Sequence, residues 1–358
     1  MVSAHSPVLQ VSARTKLTRE RVLPVPGEIL VRTGQTVNIE DVVARTDLPG
    51  TPVPIRAASL LGLPPAELKS AVTVSEGDPI LAGQVIAEQA SLFGLFRNEV
   101  RSPCGGTVET ISKITGQIMI RPRPEPLEVK AYLPGMVTEI IGHTGVVIEA
   151  EVSQVQGIFG VGGERMGVLQ KAVQDPDEPL DETRILHDHG GAVVLGGGVV
   201  TMGGLRRAGE VGVRALIAAS AHGQDLLELL GGELNPSATG NEDIGFTLVL
   251  TEGFGALSMG PRSFELLAKL DGVHVAVNGA TQIRAGVLRP EVISHGLKPE
   301  SGSRPHTARV EIGDRVRIVR GRAFGETGFI AKIPKHPQRI GSGGTALVFE
   351  VVLDLSLI

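Results

Sequence analysis

The chain has 358 residues, 42% of them apolar and 20% charged, with a formal net charge of −5; this describes a folded protein long enough for two or three domains, each with its own core. A single cysteine, Cys104, excludes an internal disulfide framework and a thiolate zinc cluster within one chain. With no Trp, one Tyr and 3% aromatics, the cores must be packed with Val, Ile, Leu and Ala, and a base-stacking aromatic platform is not expected.

Residues 1–20 read as an N-terminal extension. The opening MVSAHSPVLQVSARTKLTRERV lacks the continuous apolar core of a signal peptide. No apolar run approaches the roughly 18 residues that span a bilayer. A cytoplasmic protein with no membrane span is expected.

Residues 21–170 are built of short β-type runs between Gly and Pro turns: GEILVRTGQTV at 27–37, GDPILAGQVIAEQ at 77–89, NEVRSPCGGTVETIS at 98–112 and AYLPGMVTEIIGHTGVVIEAE at 131–151. One helical insertion is predicted near Pro64–Ser70, inside an otherwise all-β domain. Gly106, Val108, Ile111, Thr115, Gly116 and Ile118 recur 29 residues later as Gly135, Val137, Ile140, Thr144, Gly145 and Val147, an internal repeat. The phrases GDPILAGQVIAEQ and VRSPCGGTV resemble the two signature pieces of a barrel-sandwich hybrid, the fold of biotinyl and lipoyl carrier domains, of RnfC-type electron-transport subunits and of sandwich domains in the large RNA polymerase subunits. Carriers modify a lysine on the hairpin between those pieces. Here that connection, residues 90–98, has no lysine, so neither biotin nor lipoate has an amine to acylate, and the resemblance implies a scaffold.

Residues 181–295 alternate strand and helix: AVVLG at 192–196, a helix through LRRAGEV with Thr201 as its N-cap, RALIAAS at 214–220, QDLLELLG at 224–231, FTLVLTEGFG at 246–255, a helix opening at Pro261, and HVAVNG at 274–279 closing the series. This pattern predicts an α/β unit with a mostly parallel sheet of about four strands. The glycine cluster Gly196, Gly197, Gly198 leaves a strand and enters a helix, where backbone amides can cradle a phosphate. It matches neither the dinucleotide nor the mononucleotide fingerprint, and the same glycines serve equally as a tight turn. Ligands of open α/β sheets gather at the carboxyl ends of the strands. Convergence of Gly197, Thr251, Glu252, Asn278 and Arg284 there would form a pocket for a phosphate-containing ligand, with Arg284 as anion clamp and Glu252 as acceptor. The alternative is turn chemistry plus a surface arginine.

The pair His187 and His189 about Asp188 makes only a partial metal site, and Cys104 fills a turn. No serine elbow, HExxH helix, P-loop or paired-carboxylate motif occurs. One cysteine cannot hold an iron–sulfur cluster.

A Gly-, Pro- and Ser-rich linker at 296–309 leads to the segment 304–358. Residues 304–340 carry nine Lys or Arg against three acids, a local charge of +6 that leaves −11 for the remainder. EIGDRVRIVRGRAFGETGFIAKI at 311–333 resembles the KOW-type strand, loop and strand of transcription-elongation and ribosomal proteins. That resemblance implies a small SH3-like barrel that contacts RNA, ribosomal surfaces or RNA polymerase, with Arg315, Arg317, Arg320, Arg322 and Lys332 facing phosphates; a solvated cationic face is the other reading. Three functions fit these features. The first is a non-enzymatic adaptor docked on RNA, the ribosome or RNA polymerase, with room for a protein partner. The second is a nucleotide- or flavin-binding protein associated with electron transfer. The third is an enzyme with a strand-end pocket.

Overall fold

The structure, a computed structural model, describes residues 9–91, 96–231, 244–281, 288–297, 311–318, 327–334, 338–339, 345–346 and 348–353. Strands predominate, and among the described residues twelve of them belong to one long mixed sheet. At its centre Glu164–Lys171, Val193–Leu195, Ala215–Ala221 and Thr247–Phe254 run parallel. The last three are almost entirely buried, and the first two of them, VVL and ALIAASA, are almost unbroken apolar runs, as parallel strands covered by crossover helices tend to be. Helix Met202–Val211 begins where the Thr201 hydroxyl accepts the Gly204 amide and stops at Gly212, whose φ of 74° suits glycine. Helix Pro261–Ala268 opens on its proline.

Beyond Glu164–Lys171 the sheet turns antiparallel, through His274–Asn278, Glu291–His295, Gly145–Gln156 and Gly135–Ile141. The expectation of a mostly parallel sheet closed by residues 274–279 is thus corrected: four parallel strands sit inside a sheet with more antiparallel than parallel pairings. The cause lies in how the chain re-enters the sheet. The Gly272 amide donates to the Leu169 carbonyl (2.8 Å) and the Leu169 amide to the Val273 carbonyl (2.9 Å), so strand 274–278 starts beside the end of 164–171 and must run back along it.

Val11–Val22, expected within an N-terminal extension, is a twelve-residue strand paired with Gly145–Gln156. Its cations meet carboxylates of neighbouring strands: Arg14 with Glu151, Lys16 with Glu149, Arg19 with Glu291 and Arg21 with Glu164. One sheet therefore runs through residues 11–22, 145–171 and 274–295, across the boundaries expected at 20/21 and between 170 and 181.

Residues 23–150 contain the same hydrogen-bonded unit twice. In one copy the Arg32 amide donates to Gln35 Oε1, Gln35 N–H to the Arg32 carbonyl, Gly34 N–H to Val137 O and Val137 N–H to Gln35 O. In the other, Ser75, Gly77, Asp78 and Val108 make the identical set. A second turn recurs as well, Asn38 to Asp41 in one copy and Leu81 to Gln84 in the other. Strand Val42–Leu48 pairs with Glu125–Lys130 as Val85–Ser91 pairs with Phe96–Arg101. The two units are nested: the inner pair of strands is separated in sequence by only four residues, and the outer pair by residues 49–124, which hold the whole inner unit. Gly106 and Gly135 occupy matching places, where a Cβ would run into the carbonyls of Arg121 and Glu149.

Each part has its own apolar core. Ile86, Val108, Ile118 and Ile120 centre the inner unit. Val43, Leu133, Val137 and Ile148 join Met166, Ala276 and Ile293 of the sheet in the outer one. The opposite sheet face packs Val275, Val277 and Val292 with the helices.

In the C-terminal segment Arg315–Arg317, Thr327–Lys332 and Glu350–Leu353 form a three-stranded antiparallel sheet, and Gln338–Arg339 pairs with Thr345–Ala346. Among the described residues no sheet closes into a barrel, and no helix is long and apolar enough to cross a membrane.

Candidate functional site

The glycine loop 196–198 is covered by the segment Asp175–Leu180. Gly198 N–H donates to the Glu178 carbonyl (2.7 Å) and Gly196 N–H to Ile217 O (2.8 Å). A Cβ on Gly197 would run into Asp175 O, and one on Gly204 into Leu180 O, so close backbone approach accounts for these glycines. The Thr201 hydroxyl caps its helix through Gly204 N–H (3.1 Å). Thr251 is buried and donates to Ala218 O, and Glu252 Oε1 accepts Gly260 N–H (2.8 Å). The covering segment is acidic. Glu178 is held below the usual carboxylate range, first by the Gln174 amide and also by Asp175 N–H and Arg184, and Asp181 is lowered chiefly by the Thr183 hydroxyl.

Asn278 does not join this group. Because its strand is antiparallel, it stands opposite Glu164, the first residue of its neighbour, at the opposite end of the strands from the glycine loop. Its Oδ1 accepts Ala280 N–H (2.8 Å). Arg284 lies outside the described residues. His189 is buried and its Nδ1 accepts Leu186 N–H (3.2 Å), which makes it part of a turn.

Asn278 instead marks a polar seam that the sequence pattern did not point to. Glu164, Asn278 and Glu291 are in register across three strands. Glu291 is only 6% exposed. Its carboxylate accepts from Arg19 (3.0 and 3.2 Å), from Gln154 Nε2 (2.7 Å) and from the Tyr132 hydroxyl (3.3 Å). Tyr132, the chain's one tyrosine, is fully buried at φ 66° and alone among non-glycine described residues has positive φ. A bulky residue held there costs on the order of 1–2 kcal/mol and persists only where its surroundings enforce it. Burial, then the charges of Glu291 and Glu164, raise its phenol well above the ordinary value, so it stays a hydrogen-bond donor.

In the C-terminal sheet Arg315 stands opposite Phe329, and Phe329 opposite Val352. Phe329 is 46% and Val352 62% exposed, whereas the alternating Ile330 is 2% exposed. Ile312 and Lys332 are exposed nearby, and Lys332 Nζ lies 3.0 Å from Glu350 Oε1. Arg317 pairs with Thr327 in the backbone register, and Arg320 and Arg322 lie outside the described residues.

Compared with protein-family models, curated proteins and solved structures, the chain matches none of them.

Proposed function

We propose that the chain is a non-enzymatic adaptor. Its basic C-terminal sheet docks on RNA, free or as displayed by the ribosome or a transcribing polymerase, while the nested sandwiches and the long sheet act as a scaffold. The observation that carries this is the exposed aromatic ring of Phe329 on a strand in register with Arg315, within the one segment of strong positive charge. Phosphate neutralisation by Lys and Arg together with one stacking ring is the combination that single-stranded RNA requires. The sheet is completed as an SH3-like module and the body as two carrier-like sandwiches, the inner of which has no lysine on its connection at 90–98. At the strand-end loops Thr201, Thr251 and Glu252 bond within the fold, and the adaptor reading is preferred to a nucleotide, flavin or enzyme one.

The test is binding of the full chain to a short single-stranded RNA over a salt series. Four neutralised phosphates give a slope of log affinity on log salt of about −2.8, and Phe329→Ala weakens binding by about tenfold. Salt-independent binding, or no binding at low salt, sinks the proposal.

A further inference from the structure

A cleft of about 460 Å³ opens beside the polar seam, between the outer sandwich and the long sheet, and its lining includes Arg21, Glu128, Lys130, Glu164, Arg165 and Arg214. Its size lies within the usual range for small-molecule sites, which favour junctions between structural units. Four of these residues are cationic and two anionic, and with Glu40, which pairs with Arg214 from outside the lining, the cleft still holds more cations than anions in a chain of net −5.

Part of this lining is rigidly built. The Arg21 guanidinium is bidentate to Glu164 (2.8 and 2.6 Å), donates through Nε to the Lys130 carbonyl (2.8 Å) and lies 5.3 Å from the centre of the Tyr132 ring. It thereby fixes the backbone at Lys130, two residues before the left-handed Tyr132. Arg214 is held from the other side by a bond to Met166 O (2.9 Å), with Glu40 at 3.8 Å. Lys130 is half-buried and has no carboxylate partner among the described residues. Lys130, partly buried in the cleft lining without a carboxylate partner, is a cation that a ligand would complete.

We infer that this cleft binds the phosphate group of a small phosphomonoester, with Lys130 and Arg214 as its charged donors. A phosphomonoester carries about −1.5 to −2 charge at neutral pH and three acceptor oxygens, enough to accept from both donors at once.

Calorimetric titration of the full chain at constant ionic strength tests this, using inorganic phosphate and then glycerol 3-phosphate against glycerol. Saturable binding of phosphate and glycerol 3-phosphate, none of glycerol, and at least about tenfold loss in Lys130→Gln and in Arg214→Gln are expected. Lys113→Ala, on the exposed surface of the inner sandwich, leaves binding unchanged. Should Arg214→Gln unfold, Lys130→Gln, which keeps the strand and the side-chain length, decides alone. No saturable binding at about 10 mM phosphate, or equal affinity in Lys130→Gln, overturns the inference.

Discussion

Replacing Glu291 by glutamine removes one charge from the centre of the seam while keeping the side-chain shape. The carboxylate accepts four bonds, two of them from Arg19. In the amide, one oxygen becomes a donor and faces another donor. The Tyr132 hydroxyl can rotate to accept, so the loss falls on Arg19. Charge-assisted bonds are each worth about 1.5–3 kcal/mol, and breaking a fully buried pair costs about 3–5 kcal/mol. The Arg19 side chain is 36% exposed and can rehydrate, which puts the expected loss at the lower end, about 2–3 kcal/mol. Tyr132→Phe, losing one 3.3 Å bond to Glu291, costs about 1 kcal/mol. With no Trp in the chain, Tyr132 fluorescence during urea unfolding reports on this junction for the wild type and Glu291→Gln, and circular dichroism serves for Tyr132→Phe. A Glu291→Gln midpoint within about 0.5 kcal/mol of wild type refutes the idea that this carboxylate ties the outer unit to the sheet.

Gly106→Ala and Gly135→Ala each force a Cβ into a backbone carbonyl at matching positions, and each destabilises by about 3 kcal/mol in chemical denaturation; a neutral result at either breaks the equivalence of the two units. Tyr132 is raised in the folded state, so its contribution to stability is complete below the unfolded phenol value near 10 and is lost as pH rises through the folded value. Tyrosinate absorbance therefore appears only with unfolding, and a reversible titration near pH 10 in folded protein contradicts the burial. Glu178 is lowered, so what it contributes is present above the ordinary carboxylate value and is lost as pH falls through its depressed one. Hydrogen exchange at Gln174 and Asp175 accelerates over that acid window and is independent of it in Glu178→Gln.

Local structure was legible where residue type and geometry coincide. Thr201 and Pro261 mark helix starts, and the 29-residue repeat traces the matching hairpins of the two nested units. Strand direction was not. HVAVNG has the composition of any buried strand, and only the bonds of Gly272 and Val273 to Leu169 reveal that it runs backwards and takes Asn278 away from the glycine loop. The polar seam draws Arg19, Tyr132, Gln154 and Glu291 from four distant segments, with no spacing to betray them; the single tyrosine was the one available signal.

Two family resemblances also share a local cause. In Glu311–Asp314 the Glu311 amide donates to Asp314 Oδ2, and Gly313, at φ 94°, donates to Ile330 O. Residues 32–35 and 75–78 form the same turn, with Gly34 at 83° and Gly77 at 93°. A Gly-Asp or Gly-Gln pair ahead of a strand encodes this turn wherever it falls. The motif thus reports hairpin entry, and the positive charge of 304–340 is the independent feature that separates the C-terminal segment from the two nested units.

Ultraviolet crosslinking of the full chain to a short single-stranded RNA, with mapping of the modified peptides, tests the docking proposal most directly. Crosslinks concentrated in residues 311–353, with Phe329 among the modified positions and loss of signal on adding salt, are the predicted result. Crosslinks spread over the nested units and the long sheet, or none at low salt, contradict it.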